Sequence, residues 1–132
     1  MLVSLCSFAQ EQAFKTTLHN KENDLFMNIN LYQDNVIVPG QEILGETYGY
    51  LKKNSDSRVW LITAVTFSKD GKKAVLEMIN DYGSEDLIAE LTILKDGRFR
   101  LKQTEGSSIK VASNGKWVKI PKEVIFTKPQ KP

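Results

Sequence analysis

Leu25-Phe26-Met27-Asn28-Ile29-Asn30-Leu31-Tyr32 alternates without a break: Leu25, Met27, Ile29 and Leu31 share one face, Asn28 and Asn30 the other. A period of two sustained over this length marks a half-buried β-strand, because successive strand side chains point to opposite faces. The pattern recurs outward from it. Asp34-Asn35 turns the chain into Val36-Ile37-Val38, which Pro39-Gly40 ends. Gly45-Glu46-Thr47-Tyr48-Gly49-Tyr50-Leu51 follows, its glycines predicting a bulge, a bend or the close approach of another backbone. Asn54 to Ser57 is a polar turn, and Val59–Phe67, apolar on both faces, predicts a central strand.

Turn chemistry then sets a series of hairpins. Lys69-Asp70-Gly71-Lys72 joins Val59–Phe67 to Ala74–Ile79, and Lys95-Asp96-Gly97-Arg98 joins Leu87–Leu94 to Phe99–Gln103. Asp-Gly here predicts a type I′ turn, in which both central residues take positive φ and the twist matches the flanking strands. Asn114-Gly115 repeats the signal ahead of Trp117–Ile120, and Pro121 predicts a kink before the last strand, Lys122–Thr127. No helix-length stretch carries a 3.6-residue period, so at most one helical turn fits, at 10–14 or 40–44. The eight or nine strands so counted predict an all-β antiparallel meander closing into a small barrel. Closure hides the edges that an open sheet would expose. A β-sandwich is the alternative.

The 132 residues hold one domain, read as 10–127 with a tail at 128–132. Such a chain buries roughly two-thirds of its unfolded surface, enough for a core without disulfide or metal staples. Residues 1–9 (MLVSLCSFA) carry no charge and end in Ser7-Phe8-Ala9, with small Ser7 and Ala9 where a signal peptidase needs them. This reads as the remnant of a secretory signal and predicts a secreted or periplasmic protein. Cys6 is the one cysteine, so the exported chain would hold no disulfide or thiol nucleophile. No apolar run is long enough for a membrane-spanning helix.

Charge is uneven. Residues 10–94 carry 8 basic and 13 acidic side chains, and residues 95–132 carry 10 basic and 3 acidic. The basic end lacks the arginines and stacking aromatics of a nucleic-acid platform, so no nucleic-acid partner is expected.

Catalytic constellations are scarce. His19, the one histidine, lies in a polar run from Thr16 to Asp24 that reads as a turn, which leaves no multi-histidine metal site and no evident triad. No Walker loop or GxGxxG is present. The densest polar stretch, Asn80-Asp81-Tyr82-Gly83-Ser84-Glu85-Asp86-Leu87, brings three carboxylates together. Hard oxygens in such a loop suit Ca²⁺, and carboxylate pairs suit glycoside hydrolysis. Turn chemistry also accounts for every residue type there: Gly83 at positive φ, Asp81 or Ser84 bonding local N–H groups, Glu85 and Asp86 in water. Tyr48, Tyr50, Trp60, Tyr82 and Trp117 are the amphipathic aromatics, suited to a barrel's core or to its mouth.

Gly45-x-x-Tyr48-Gly49, the meander with Asp-Gly turns and the stretch from Gly106-Ser107-Ser108 to Trp117-Val118-Lys119 resemble the calycin-like group of small secreted barrels. That group includes lipocalins, avidins and barrel-shaped protease or lysozyme inhibitors of bacteria. The resemblance implies architecture alone, since the lipocalin Gly-x-Trp and the biotin-site residues of avidins have no counterpart here. The expectation is a non-enzymatic exported binding protein without cofactor or metal, of inhibitor or immunity type, monomeric or weakly dimeric. Its partner would be a protein met through Tyr48, Tyr50, Trp60, Asp81, Tyr82, Glu85, Asp86 and Trp117. The alternative is a small apolar ligand carried in the lumen.

Overall fold

The computed structural model describes residues 12–54, 56, 58–81, 83–113 and 115–129. The signal-like segment 1–9, Tyr82, Asn114 and the end of the tail lie outside the described residues.

Alternation and turns build one antiparallel sheet of eight strands, with each strand paired to the next in the sheet. In sheet order these are β1 (Lys15–Asn20), β2 (Leu25–Asn30), β5 (Gly49–Lys53), β6 (Trp60–Phe67), β7 (Lys73–Asn80), β8 (Asp86–Ile93), β9 (Phe99–Gly106) and β12 (Glu123–Phe126). Two short ribbons stand apart: β3 (Val36–Ile37) with β4 (Glu46–Thr47), and β10 (Lys110–Ser113) with β11 (Lys116–Lys119). Among the described residues one 3₁₀ turn, Glu42–Leu44, occupies one of the two places expected. The sheet curls until its ends meet. His19 and Thr127 exchange both backbone hydrogen bonds at 2.8 Å, and Asn20 Nδ2 donates to the Ile125 carbonyl at 2.7 Å. The sheet is thereby nearly closed into a barrel, not split into a sandwich.

Leu25, Met27, Ile29 and Leu31 are buried, as their alternation requires. They join Leu18, Leu51, Ile62, Leu76, Met78, Leu91, Leu101 and Phe126 in the core that fills the barrel. Each such side chain contributes about 1.5–3 kcal/mol by burial. Phe14 packs edge-on to Phe99 and tilted on Phe67, whose other neighbour is the stacked ring of Tyr32.

A second cluster explains the strand that is apolar on both faces. Trp60 and Ile62 point into the core, while Leu61 packs outside it with Tyr50, Val59 and Val38. The excursion carrying β3, β4 and the 3₁₀ turn supplies Val38, Val36 and Leu44 to cover that outer face. Gly49 opens the path for this excursion. A Cβ there would lie 2.6 Å from the Asn28 carbonyl oxygen, so the backbone approach expected from sequence is met at this glycine.

Two expectations are corrected. Residues 15–20 are a strand, not part of a turn, and His19 sits on it, stacked on its cross-strand neighbour Phe26. The pairing is set by β2, across a four-residue turn, and by Thr127, distant in sequence, and the strand's own residues show little alternation. The Asp-Gly turns are also not type I′. Among the described residues only Asp24 is a non-glycine with positive φ, so Asp70 and Asp96 do not take the conformation that type I′ demands. Instead Gly71 N–H donates to the Ser68 carbonyl and Gly97 N–H to the Leu94 carbonyl. One left-handed glycine then closes each loop. The aspartates act through their carboxylates: Asp70 Oδ1 accepts from Lys72 N–H at 3.0 Å, and Asp96 Oδ1 from Arg98 N–H at 3.1 Å. Pro121 falls in the break between β11 and β12, and its carbonyl accepts from Gln103 Nε2.

Candidate functional site

β5, β7 and β9 end, and β2, β6 and β8 begin, at the same end of the barrel. The β9–β12 connection crosses that end as the β10–β11 ribbon, rooted by buried Ile109, Val111 and Ile120. Hydrogen bonds between barrel side chains and the β10 backbone tie it down. Trp60 Nε1 donates to the Lys110 carbonyl at 3.3 Å, and Asp56 Oδ2 accepts from Ala112 N–H at 3.2 Å.

Between ribbon and barrel lies a cleft of about 320 Å³. Val59, Trp60 and Val111 give it an apolar floor, Asn80, Asp81, Ser84 and Glu85 form one wall, and Arg58 and Trp117 form another. The Arg58 guanidinium lies 4.5 Å from the centroid of the Trp117 ring. Cations and carboxylates balance around the opening: Lys52, Arg58 and Lys110 against Asp56, Asp81 and Glu85. Lys110 Nζ meets Glu85 Oε2 at 3.2 Å, and Arg58 Nη1 lies 3.7 Å from Asp56 Oδ1. The Asp81 carboxylate bonds none of the described side chains.

The loop wall is braced from within. Asn80 Oδ1 accepts from Ser84 N–H at 2.9 Å and Glu85 N–H at 3.2 Å, and Asn80 Nδ2 donates to Ser84 Oγ at 3.0 Å. The local backbone bonds expected of Asp81 or Ser84 thus belong to Asn80. Glu85, expected in water, is paired to the ribbon. Gly83 does take positive φ.

Of the residues singled out from sequence, Trp60, Asp81, Glu85 and Trp117 converge on the cleft. The others do not. Tyr48 packs against the barrel core, and Tyr50 lies edge-on to Phe26 beside a separate groove with Val38 and Pro39. Asp86 lies in a shallow depression with Glu77 and Glu105, and Tyr82 is outside the described residues.

Arg58, Asp56 and Lys110 escaped the sequence reading. Asp56-x-Arg58 repeats the pattern of Asp70-x-Lys72 and Asp96-x-Arg98, with Asp56 Oδ1 accepting from Arg58 N–H at 3.2 Å. The turn itself was read from the polar run 54–57, without this role for Asp56. Nothing local could have placed Arg58 on a ring that lies far along the chain.

Among the described residues no three His, Cys, Asp or Glu side chains converge as a metal site would require. The chain matches no protein-family model, no characterised protein and no solved structure.

Proposed function

We propose that this chain is a non-enzymatic, exported binding protein, of inhibitor or immunity type, that engages a protein partner through the cleft beneath the β10–β11 ribbon. The observation that carries the reading is the convergence of Trp60, Asp81, Glu85 and Trp117, from three separate segments, on one amphipathic opening. Buried aromatic anchors with a polar rim are the usual build of a protein-binding hot spot. Trp117, 57% exposed, supplies a large apolar surface that the described residues leave open. Export rests on the signal-like segment 1–9. That Leu18, Met27, Ile62, Met78 and Phe126 pack in the barrel interior favours the cleft over a ligand carried in the lumen.

The test is affinity capture from an envelope extract with the wild-type chain and with Trp117→Ala and Asp81→Ala. A partner held by the wild type and lost by variants of unchanged melting temperature supports the reading. Equal capture by all three overturns it. N-terminal sequencing of the protein recovered outside the cytoplasm tests export, and a start at Met1 would count against it.

A further inference from the structure

The two outer edges of the β10–β11 ribbon differ. Ile120 N–H donates to the Ile109 carbonyl at 3.0 Å, so these residues form a hydrogen-bonded pair. Such pairs alternate along an antiparallel ladder, and the register makes Val111↔Val118 and Ser113↔Lys116 the next two. Lys110, Ala112, Trp117 and Lys119 therefore turn their backbone groups outward. On the β10 edge two of the four outward groups are capped, the Lys110 carbonyl by Trp60 Nε1 and the Ala112 N–H by Asp56 Oδ2. On the β11 edge the N–H and C=O groups of Trp117 and Lys119 meet no partner among the described residues. Exposed Trp117 and Val118 flank them, between Lys116 and Lys119, which join no ion pair among the described residues.

We infer that the β11 edge takes up an extended acidic polypeptide segment as an added strand. This rests on the binding-protein reading above and names the chemistry of its partner. An unpaired edge offers main-chain hydrogen bonds to any extended chain, and side chains decide which chain is accepted. A second copy of this ribbon fits badly: two-fold antiparallel pairing of the edge with itself gathers two copies each of Lys116 and Lys119 along one seam. An incoming strand with carboxylates flanking an apolar pair meets both lysines with opposite charge and covers Trp117 and Val118. Residues directly opposite share a face of the ribbon. The incoming side chain opposite Trp117 is therefore carried to the cleft that Trp117 lines.

The probe is a soluble peptide carrying Glu-Val-Val-Glu, added to the full chain and followed by amide hydrogen exchange resolved by NMR. Exchange at Trp117 and Lys119 should slow about tenfold or more at saturation, as newly bonded amides do. The same peptide N-methylated at alternate residues, or with Lys in place of Glu, should not bind. Lys119→Pro removes one outward N–H without breaking the ribbon's own ladder, and should weaken binding more than Lys119→Gln, which removes only the charge. Equal binding of the N-methylated peptide, binding without slowed exchange at 117 and 119, or no binding at about 1 mM peptide overturns the proposal. Partner capture lost in Trp117→Ala while the peptide leaves both amides unchanged sinks the edge and spares the cleft. Slowed exchange together with capture indifferent to Trp117→Ala does the reverse.

Discussion

Arg58 and Trp117 stack with the guanidinium 4.5 Å from the ring centroid, joining the segment before β6 to the exposed strand of the ribbon. A cation–π contact at an exposed site is worth only about 0.5–1 kcal/mol. It fixes where the indole stands more than it stabilises the fold. It holds one wall of the cleft in place.

The two tryptophans should therefore separate stability from recognition. Trp60 is 5% exposed and bonded to the Lys110 carbonyl, so Trp60→Ala should cost about 3–5 kcal/mol. Trp117→Ala should cost about 1 kcal/mol or less. Urea denaturation of both variants checks this, and a loss at Trp117 equal to that at Trp60 would show the ribbon to be part of the core.

Asp56 anchors the ribbon through the Ala112 N–H. Asp56→Ala leaves that donor unpaired, and should cost about 1–3 kcal/mol while speeding amide exchange across 110–119. Asp56→Asn keeps an acceptor oxygen and should fall between the variant and the wild type. Exchange mass spectrometry on the three proteins decides whether opening is confined to the ribbon.

Gly49 tests the role of close backbone approach. A Cβ at Gly49 would meet the Asn28 carbonyl oxygen at 2.6 Å, whereas one at Gly40, also at positive φ, meets nothing within 4 Å. Gly40→Ala should cost about 1–2 kcal/mol from conformation alone. Gly49→Ala should cost more, because β2 or β5 must move. Midpoints of chemical unfolding at constant m-value give the comparison.

Acid should weaken the barrel through its two Asp-Gly turns. Bonds from the Ser68 hydroxyl and then the Lys72 N–H hold the Asp70 carboxyl below its ordinary 3.8, and bonds from Arg98 backbone and side chain do the same for Asp96. A carboxyl depressed on folding stabilises above its unfolded pKa, and that stabilisation is lost as pH falls through the folded pKa. The effect thus lies below about pH 4. Asp70→Asn with Asp96→Asn keeps an acceptor in each turn but should flatten the acid limb of melting temperature against pH. An unchanged limb would assign acid sensitivity to other carboxylates.

Much of the architecture was legible along the chain. Leu25 to Leu31 announced their burial, and the Asp-Gly pairs announced hairpins, because both signals depend on neighbours in sequence. The turn type was misread there: the aspartate side chain, accepting a backbone N–H two residues on, does what a second positive φ was expected to do. Residues 15–20 lay hidden because a strand with one or two inward apolar side chains is defined by the partners that bond it. In the candidate site, Trp60, Asp81, Glu85 and Trp117 were named from their chemistry, and Tyr48 and Tyr50 on the same grounds proved to pack elsewhere.

By itself the sequence determined that this chain is all-β, where most strands lie and which faces they bury, since alternation and turn preference act over a few residues. Only the tertiary structure decided that the sheet curls until His19 meets Thr127, that the β3–β4 excursion covers Leu61, and that Arg58 reaches Trp117. Those contacts join residues far apart in the chain, and their energy exists only once closure of the barrel has brought them together.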